Sequence, residues 1–188
     1  MPPNVSEDPE TAEAVPVTAI AMKLLDVRLK PSSAIITSLM GSFSAPKTHE
    51  VILFKAGGTI ELQTIETTAD NVTALKLLCK TETRSVLRSC GKVRYPGEAR
   101  DVLAVSSDSG ALSGLDFEHS KLKIVHCVTF GKTACRRSTP GQYLAVDPAG
   151  RAVMVAATEK RKLVYVLNRD SSGTPTIASP LEAHRNRC

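Results

Sequence analysis

Tryptophan is absent from this 188-residue chain, and only three tyrosines and four phenylalanines are present. Modules that read single-stranded RNA stack bases on several aromatic side chains, so a dedicated RNA-reading module is not expected. The five cysteines, at 79, 90, 127, 135 and 188, include no CxxC pair, and their odd number leaves one over in any complete disulfide scheme. Reduced thiols are the simpler expectation. No basic start followed by an apolar stretch opens the sequence, and the longest apolar run, Ala152 to Ala157, falls far short of a membrane span. A soluble, intracellular protein is therefore expected. Asn4-Val5-Ser6 and Asn71-Val72-Thr73 fit the glycosylation pattern, but carry little weight without a secretory signal.

Signatures of catalysis are equally scarce. Nucleophilic chemistry needs a serine or cysteine beside a histidine that an acid orients, and neither a GxSxG elbow nor a known cysteine signature occurs. Gly131-Lys132-Thr133 matches the end of a phosphate-binding loop, yet the position five residues earlier is His126 where the pattern requires glycine; a β-turn accounts for it. His119, His126, Cys127 and Cys135 have no zinc-module spacing, and adjacent residues on a strand, such as His126 and Cys127, point to opposite faces. No enzyme activity, cofactor or metal is expected.

What the chain does contain is positive charge and short β-prone runs. The net charge is +5, and residues 1 to 22 hold Glu7, Asp8, Glu10 and Glu13 with no lysine or arginine, so removing those four leaves +9 on the remainder. Such a body favours acidic partners. The densest clusters, Arg136-Arg137 and Lys160-Arg161-Lys162, form a candidate contact patch for phosphates or an acidic protein neighbour. Loop charges that keep turn tips soluble are the plainer account.

The first 21 residues combine proline, acids and small side chains without a usable period and are expected to form a flexible acidic tail. From Met22 onward, runs rich in Val, Ile, Leu and Thr alternate with Gly, Pro, Asp, Asn and Ser, the pattern of strands and turns. About a dozen strands and no helix are predicted. Asp108-Ser109-Gly110 predicts one hairpin and Asp147-Pro148-Ala149-Gly150 another, with proline and glycine where a type I turn favours them. From Lys162 to Asn168, Leu163, Tyr165 and Leu167 alternate with Val164, Val166 and Asn168, so both faces are partly apolar, as in a strand stacked between layers. Strands at this spacing suit an all-β sandwich, barrel or propeller. A propeller blade takes about forty residues, so residues 22–170 would supply three to four.

The stretch TFGKTACRRSTPGQYLAVDPAGRAVMVAATEKRKLVYVLNRD, followed by ASPLEAH, spans Thr129 to His184. It closely resembles the amino-terminal propeller of the splicing factor 3b subunit 3 (spliceosome-associated protein 130) family. Weaker similarity runs back through SSDSG, RSVLRS and GSFSAPKTHEVIL to about Met22. The wider family includes the cleavage and polyadenylation specificity factor A subunit and the damaged-DNA-binding protein. FGK-x-x-CRR, PGQ-x-LAVDP-x-GRAVM and KLVY-x-LNRD favour the splicing branch.

That resemblance implies an all-β, incomplete β-propeller of three to four WD40-like blades over residues 22–188, behind the tail. It implies a nuclear, non-catalytic scaffold in pre-mRNA splicing, partnered by other splicing factor 3b subunits and spliceosomal proteins. Nucleic acid would be met at most indirectly or through the basic loops, without a membrane or small-molecule substrate. A DNA-damage or ubiquitin-ligase adaptor, a 3′-end processing subunit and a nonfunctional truncated copy are the alternatives. After ASPLEAH the chain reads RNRC where the family continues, and an acidic leader precedes Met22. The expectation is a fragment of a ring, whose open edge strands favour pairing or aggregation over a stable monomer.

Overall fold

Local turn chemistry divides the described residues into thirteen strands. The computed structural model describes residues 34–67, 73–83, 85–131, 141–158 and 161–184. The expected tail, residues 1–21, and residues 22–33 lie outside these. Among the described residues every regular element is a strand. β1 (Ile35–Gly41), β2 (Glu50–Lys55), β3 (Thr59–Thr67) and β4 (Thr73–Glu82) pair in that order. β5 (Leu87–Val93), β6 (Val102–Ser107), β7 (Ala111–Glu118) and β8 (Lys121–Thr129) form a second four-stranded sheet. The third contains β9 (Tyr143–Val146), β10 (Ala152–Thr158), β11 (Arg161–Arg169), β12 (Pro175–Ile177) and β13 (Leu181–His184). All pairings are antiparallel.

Both predicted hairpins are present. Gly110 N donates to Ser107 O at 3.1 Å between β6 and β7, and Gly150 N donates to Asp147 O at 2.8 Å between β9 and β10. In the second turn the Asp147 carboxylate also accepts from Ala149 N at 3.1 Å and Arg151 Nε at 2.6 Å. The Arg151 guanidinium, helped by the Ala149 amide, holds that carboxyl below its ordinary range. Gly150 has φ +70°, and a Cβ there would lie 1.7 Å from the Arg94 carbonyl oxygen. A side chain is therefore opposed by backbone strain and by the strand end against which the turn docks.

The fourth strand of the third sheet is broken in two. β12 pairs with Leu167–Arg169 of β11 and β13 with Arg161–Val164, both on the same edge. Ser179-Pro180 separates the pieces, and proline has no amide hydrogen to give to a ladder.

The three sheets stack as successive blades. β6 is buried along its whole length because it lies in the middle sheet, covered on both faces. Leu103 and Val105 face the first seam with Ile52, Phe54, Ile60 and Leu62. Val102 and Ala104 face the second with Val153, Val155, Leu163 and Tyr165. β1 meets β5 and β5 meets β9 along one edge of the stack, while β8 touches β4 and β12 along the other. Between the second and third blades, the β5–β9 contact is the tighter. At Gly91 on β5, a Cβ would come within 2.5 Å of Val146 Cγ2 on β9, so a side chain here would force Val146 to shift.

Candidate interaction surface

The predicted basic patch is only partly within the described residues. Arg136, Arg137 and Lys160 lie outside them. Arg161 and Lys162 open β11 and are exposed. Their side chains leave opposite faces of the strand, as neighbours in an extended chain must, so these two do not make one cationic surface. Arg161 pairs with Glu182 of β13 at 3.7 Å, close to the limit at which exposed pairs contribute anything. Lys162 sits in register with Ala156 and Ala183.

Of the candidates considered for metal or phosphate chemistry, Lys132, Thr133 and Cys135 lie outside the described residues. Gly131 N donates to Gly110 O at 3.2 Å and so belongs to a loop contact. His119 is a turn residue with φ 49°. A bulge sets the orientations of His126 and Cys127. Ile124 pairs with Leu115 and His126 with Gly114, leaving Val125 as the extra residue. Beyond it, His126 turns to the second seam, edge-on to Tyr95 with ring centroids 6.4 Å apart. Cys127 faces the other way, with Ser113 Oγ 3.4 Å from its sulfur. A cysteine–histidine catalytic pair is thus ruled out by geometry at these two positions. No group of three or more His, Cys, Asp and Glu converges as a metal site among the described residues.

Burial pushes the His126 imidazole below its ordinary pKa, and Nδ1 is buried without a hydrogen-bond partner. The unfolded chain takes up this proton near pH ~6.5, whereas the folded chain resists until lower pH. The stabilisation from neutral His126 is therefore complete above the unfolded value and is lost as pH falls through the folded one. Scanning calorimetry from pH 7 to pH 5 is expected to show a falling Tm, with a shallower fall for His126→Gln. Equal slopes would show that His126 does not carry the effect.

The groups that sequence reading missed are buried carboxylates joining the first two blades. Glu50 accepts from Phe43 N at 2.6 Å, from Ser44 N at 2.9 Å and from the Ser44 hydroxyl. Asp101 accepts from Ser42 N at 2.9 Å and Arg94 Nε at 2.8 Å, while its own amide donates to Ser42 O at 2.7 Å. Arg100 donates to Phe43 O, Phe117 O and the Asp116 carboxylate. The partners here are backbone groups, the Ser44 hydroxyl and fixed counter-charges, so the cluster clamps the 42–50 loop of the first blade to the second. It presents no free acid or base to a substrate. The one sequence cue is charge beside β-prone runs, in HEVILF and ARDVLAV.

Between the same two blades lies an open groove of about 520 Å³. Leu87, Leu122, Ile124, Thr81, Ser107 and Ser113 are among its lining residues. The burial of Cys90 nearby on β5 raises its thiol to about 12, which keeps it protonated and unreactive at neutral pH.

Comparison with known proteins agrees with this architecture. The family model described as the RSE1/DDB1/CPSF1 first beta-propeller matches residues 34–187. The chain is 42% identical over 166 residues to the zebrafish (Danio rerio) protein named splicing factor 3B subunit 3, covering 87% of this chain and 13% of that protein. It is 41% identical over 167 residues to spliceosome-associated protein 130 A of Arabidopsis thaliana, covering 88% of this chain and 13% of that one. Pre-mRNA-splicing factor RSE1 of Mycosarcoma maydis is 40% identical over 166 residues, with 87% and 13% covered. The chain thus spans about 13% of the length of the curated relatives it matches.

Proposed function

Because the chain belongs to the RSE1/DDB1/CPSF1 first beta-propeller family, we propose that it serves as a non-catalytic scaffold piece in pre-mRNA splicing, in the manner of splicing factor 3B subunit 3. The observation that carries this reading is the level of identity, about 40% across nearly nine-tenths of the chain, to proteins whose names all place them in splicing. The stacked blades supply the physical means. Two apolar seams and a hydrogen-bonded clamp hold the sheets together, so loops and edges are displayed on a fixed frame. Partners are other subunits of a splicing factor 3B type of complex, and the working compartment is the nucleus, where splicing takes place. Any contact with RNA is at most indirect or through basic loops.

The test is affinity purification of the tagged chain from nuclear extract, with partners identified by mass spectrometry. Recovery of splicing factor 3B subunits above a mock purification is the expected result. Recovery of cullin-type ligase components, or of 3′-end processing subunits, would reassign the chain to another branch of the family.

A further inference from the structure

We propose that the groove between the first and second blades takes an extended segment of a partner protein, uncharged and aliphatic at alternate positions. The groove measures about 520 Å³, a size that admits several side chains. Its lining comes largely from the end of β4, from β7 and from β8, which belong to consecutive blades. Further blades of a propeller stack on the outer faces of such a pair and do not enter the space between two blades already joined. Leu87, Leu115 and Leu122 in the lining are core residues of the first seam, so the groove opens onto the core. Beside them Ile124 is 63% exposed, although it is a branched aliphatic in the middle of a strand.

The chemistry of the lining selects the occupant. Among the described residues no lysine, arginine or histidine lines the groove, and its one charged group is Glu82, which lies 3.5 Å from Lys80. A phosphate backbone or an acidic segment therefore finds no counter-charge there, whatever the net charge of the chain. The hydroxyls give their hydrogens to acceptors within the chain: Thr83 donates to Gly58 O at 2.8 Å, Ser85 to Thr83 O at 3.4 Å and Ser113 to the Cys127 sulfur at 3.4 Å. What they present outward is oxygen lone pairs, which suit the N–H groups of a peptide. The strand edges ask for the same partner. Among the described residues β4 pairs only with β3 and β8 only with β7, so the outer side of each carries unpaired backbone groups. A peptide strand added to β8 satisfies them and sends every second side chain toward Ile124 and the leucines. The bulge at Val125 interrupts this edge and keeps the added strand short, so the affinity is modest. This inference names no splicing component and is independent of the splicing reading.

The probe is a fluorescein-labelled peptide of alternating valine and threonine with a lysine at each end, titrated with the full 188-residue chain and read by fluorescence anisotropy. Saturable binding with a Kd of about 0.1 mM is expected. Ile124→Asp, at an exposed position and so safe for folding, is expected to weaken binding at least about tenfold with the far-ultraviolet circular dichroism unchanged. Met154→Glu, on the third blade, should leave binding intact. Bound peptide should also slow iodoacetamide alkylation of Cys127, which is exposed and lines the groove, by about fourfold at roughly three times the Kd, followed by mass spectrometry at that residue. No saturable binding up to about 1 mM would overturn the proposal, as would undiminished binding by folded Ile124→Asp or an unchanged rate at Cys127. Loss of binding in folded Met154→Glu, or displacement of the peptide by single-stranded RNA, would also overturn it, by placing the site elsewhere or assigning it to nucleic acid.

Discussion

Replacing Leu103 by alanine is expected to destabilise the chain by about 3 to 4 kcal/mol and lower Tm by roughly 10 °C. Leu103 is wholly buried in β6 and lies in the first seam with Ile52, Ile60, Leu62 and Leu115. These neighbours sit on paired strands, and the backbone ladders on either side stop them moving inward to refill the space. The cost is therefore the lost transfer free energy plus a persistent cavity. Ala104, one residue on, faces the second seam, so Leu103→Ala loosens the contact of the first two blades and leaves that of the second and third. Hydrogen exchange should then report deprotection in β2, β3 and β6 before β10 and β11. A loss below about 1 kcal/mol would mean that the seam can collapse around the smaller side chain.

Glu50→Ala is expected to cost about 3 kcal/mol. Glu50 is 1% exposed, and its carboxylate satisfies two backbone amides and a hydroxyl in the 42–50 loop. Alanine would leave the buried Phe43 amide without an acceptor, and a buried unsatisfied group costs about 1 to 3 kcal/mol. The loop would also lose its anchor, weakening the neighbouring Ser42–Asp101 bonds that tie it to the second blade. Glu50→Gln keeps one oxygen for the amides but turns an amide nitrogen toward the Ser44 hydroxyl, so roughly half the loss is expected. Urea unfolding of the three proteins measures the series, with an unchanged m value showing that only stability has moved. Equal midpoints for Glu50→Ala and the parent chain would show that water replaces the carboxylate.

Much of the fold was legible because its determinants are local. Aspartate, proline and glycine at 147–150 and 108–110 specify turns through their own dihedral preferences and side-chain hydrogen bonds. Alternation along 162–168 specifies a strand from its period alone. The same alternation left open which apolar face was covered, since Leu163 and Val164 look alike in sequence. Only the stacking of the third blade on the second buries Leu163 and leaves Val164 half-buried. The basic run at 160–162 was legible as charge, but extended backbone sends Arg161 and Lys162 to opposite sides.

By itself the sequence determined that this is a chain of short antiparallel strands, because turn residues and side-chain period act within a few positions. Its quoted motifs also carried the family, and the match over residues 34–187 agrees. Tertiary structure alone decided which carboxylates are buried, why β6 is apolar on both faces, and how the bulge at Val125 turns His126 toward Tyr95 in the second seam. Each of those depends on groups brought together from distant positions, as Ser42 and Asp101 are. Their energies come from burial and pairing across sheets, which no local pattern records.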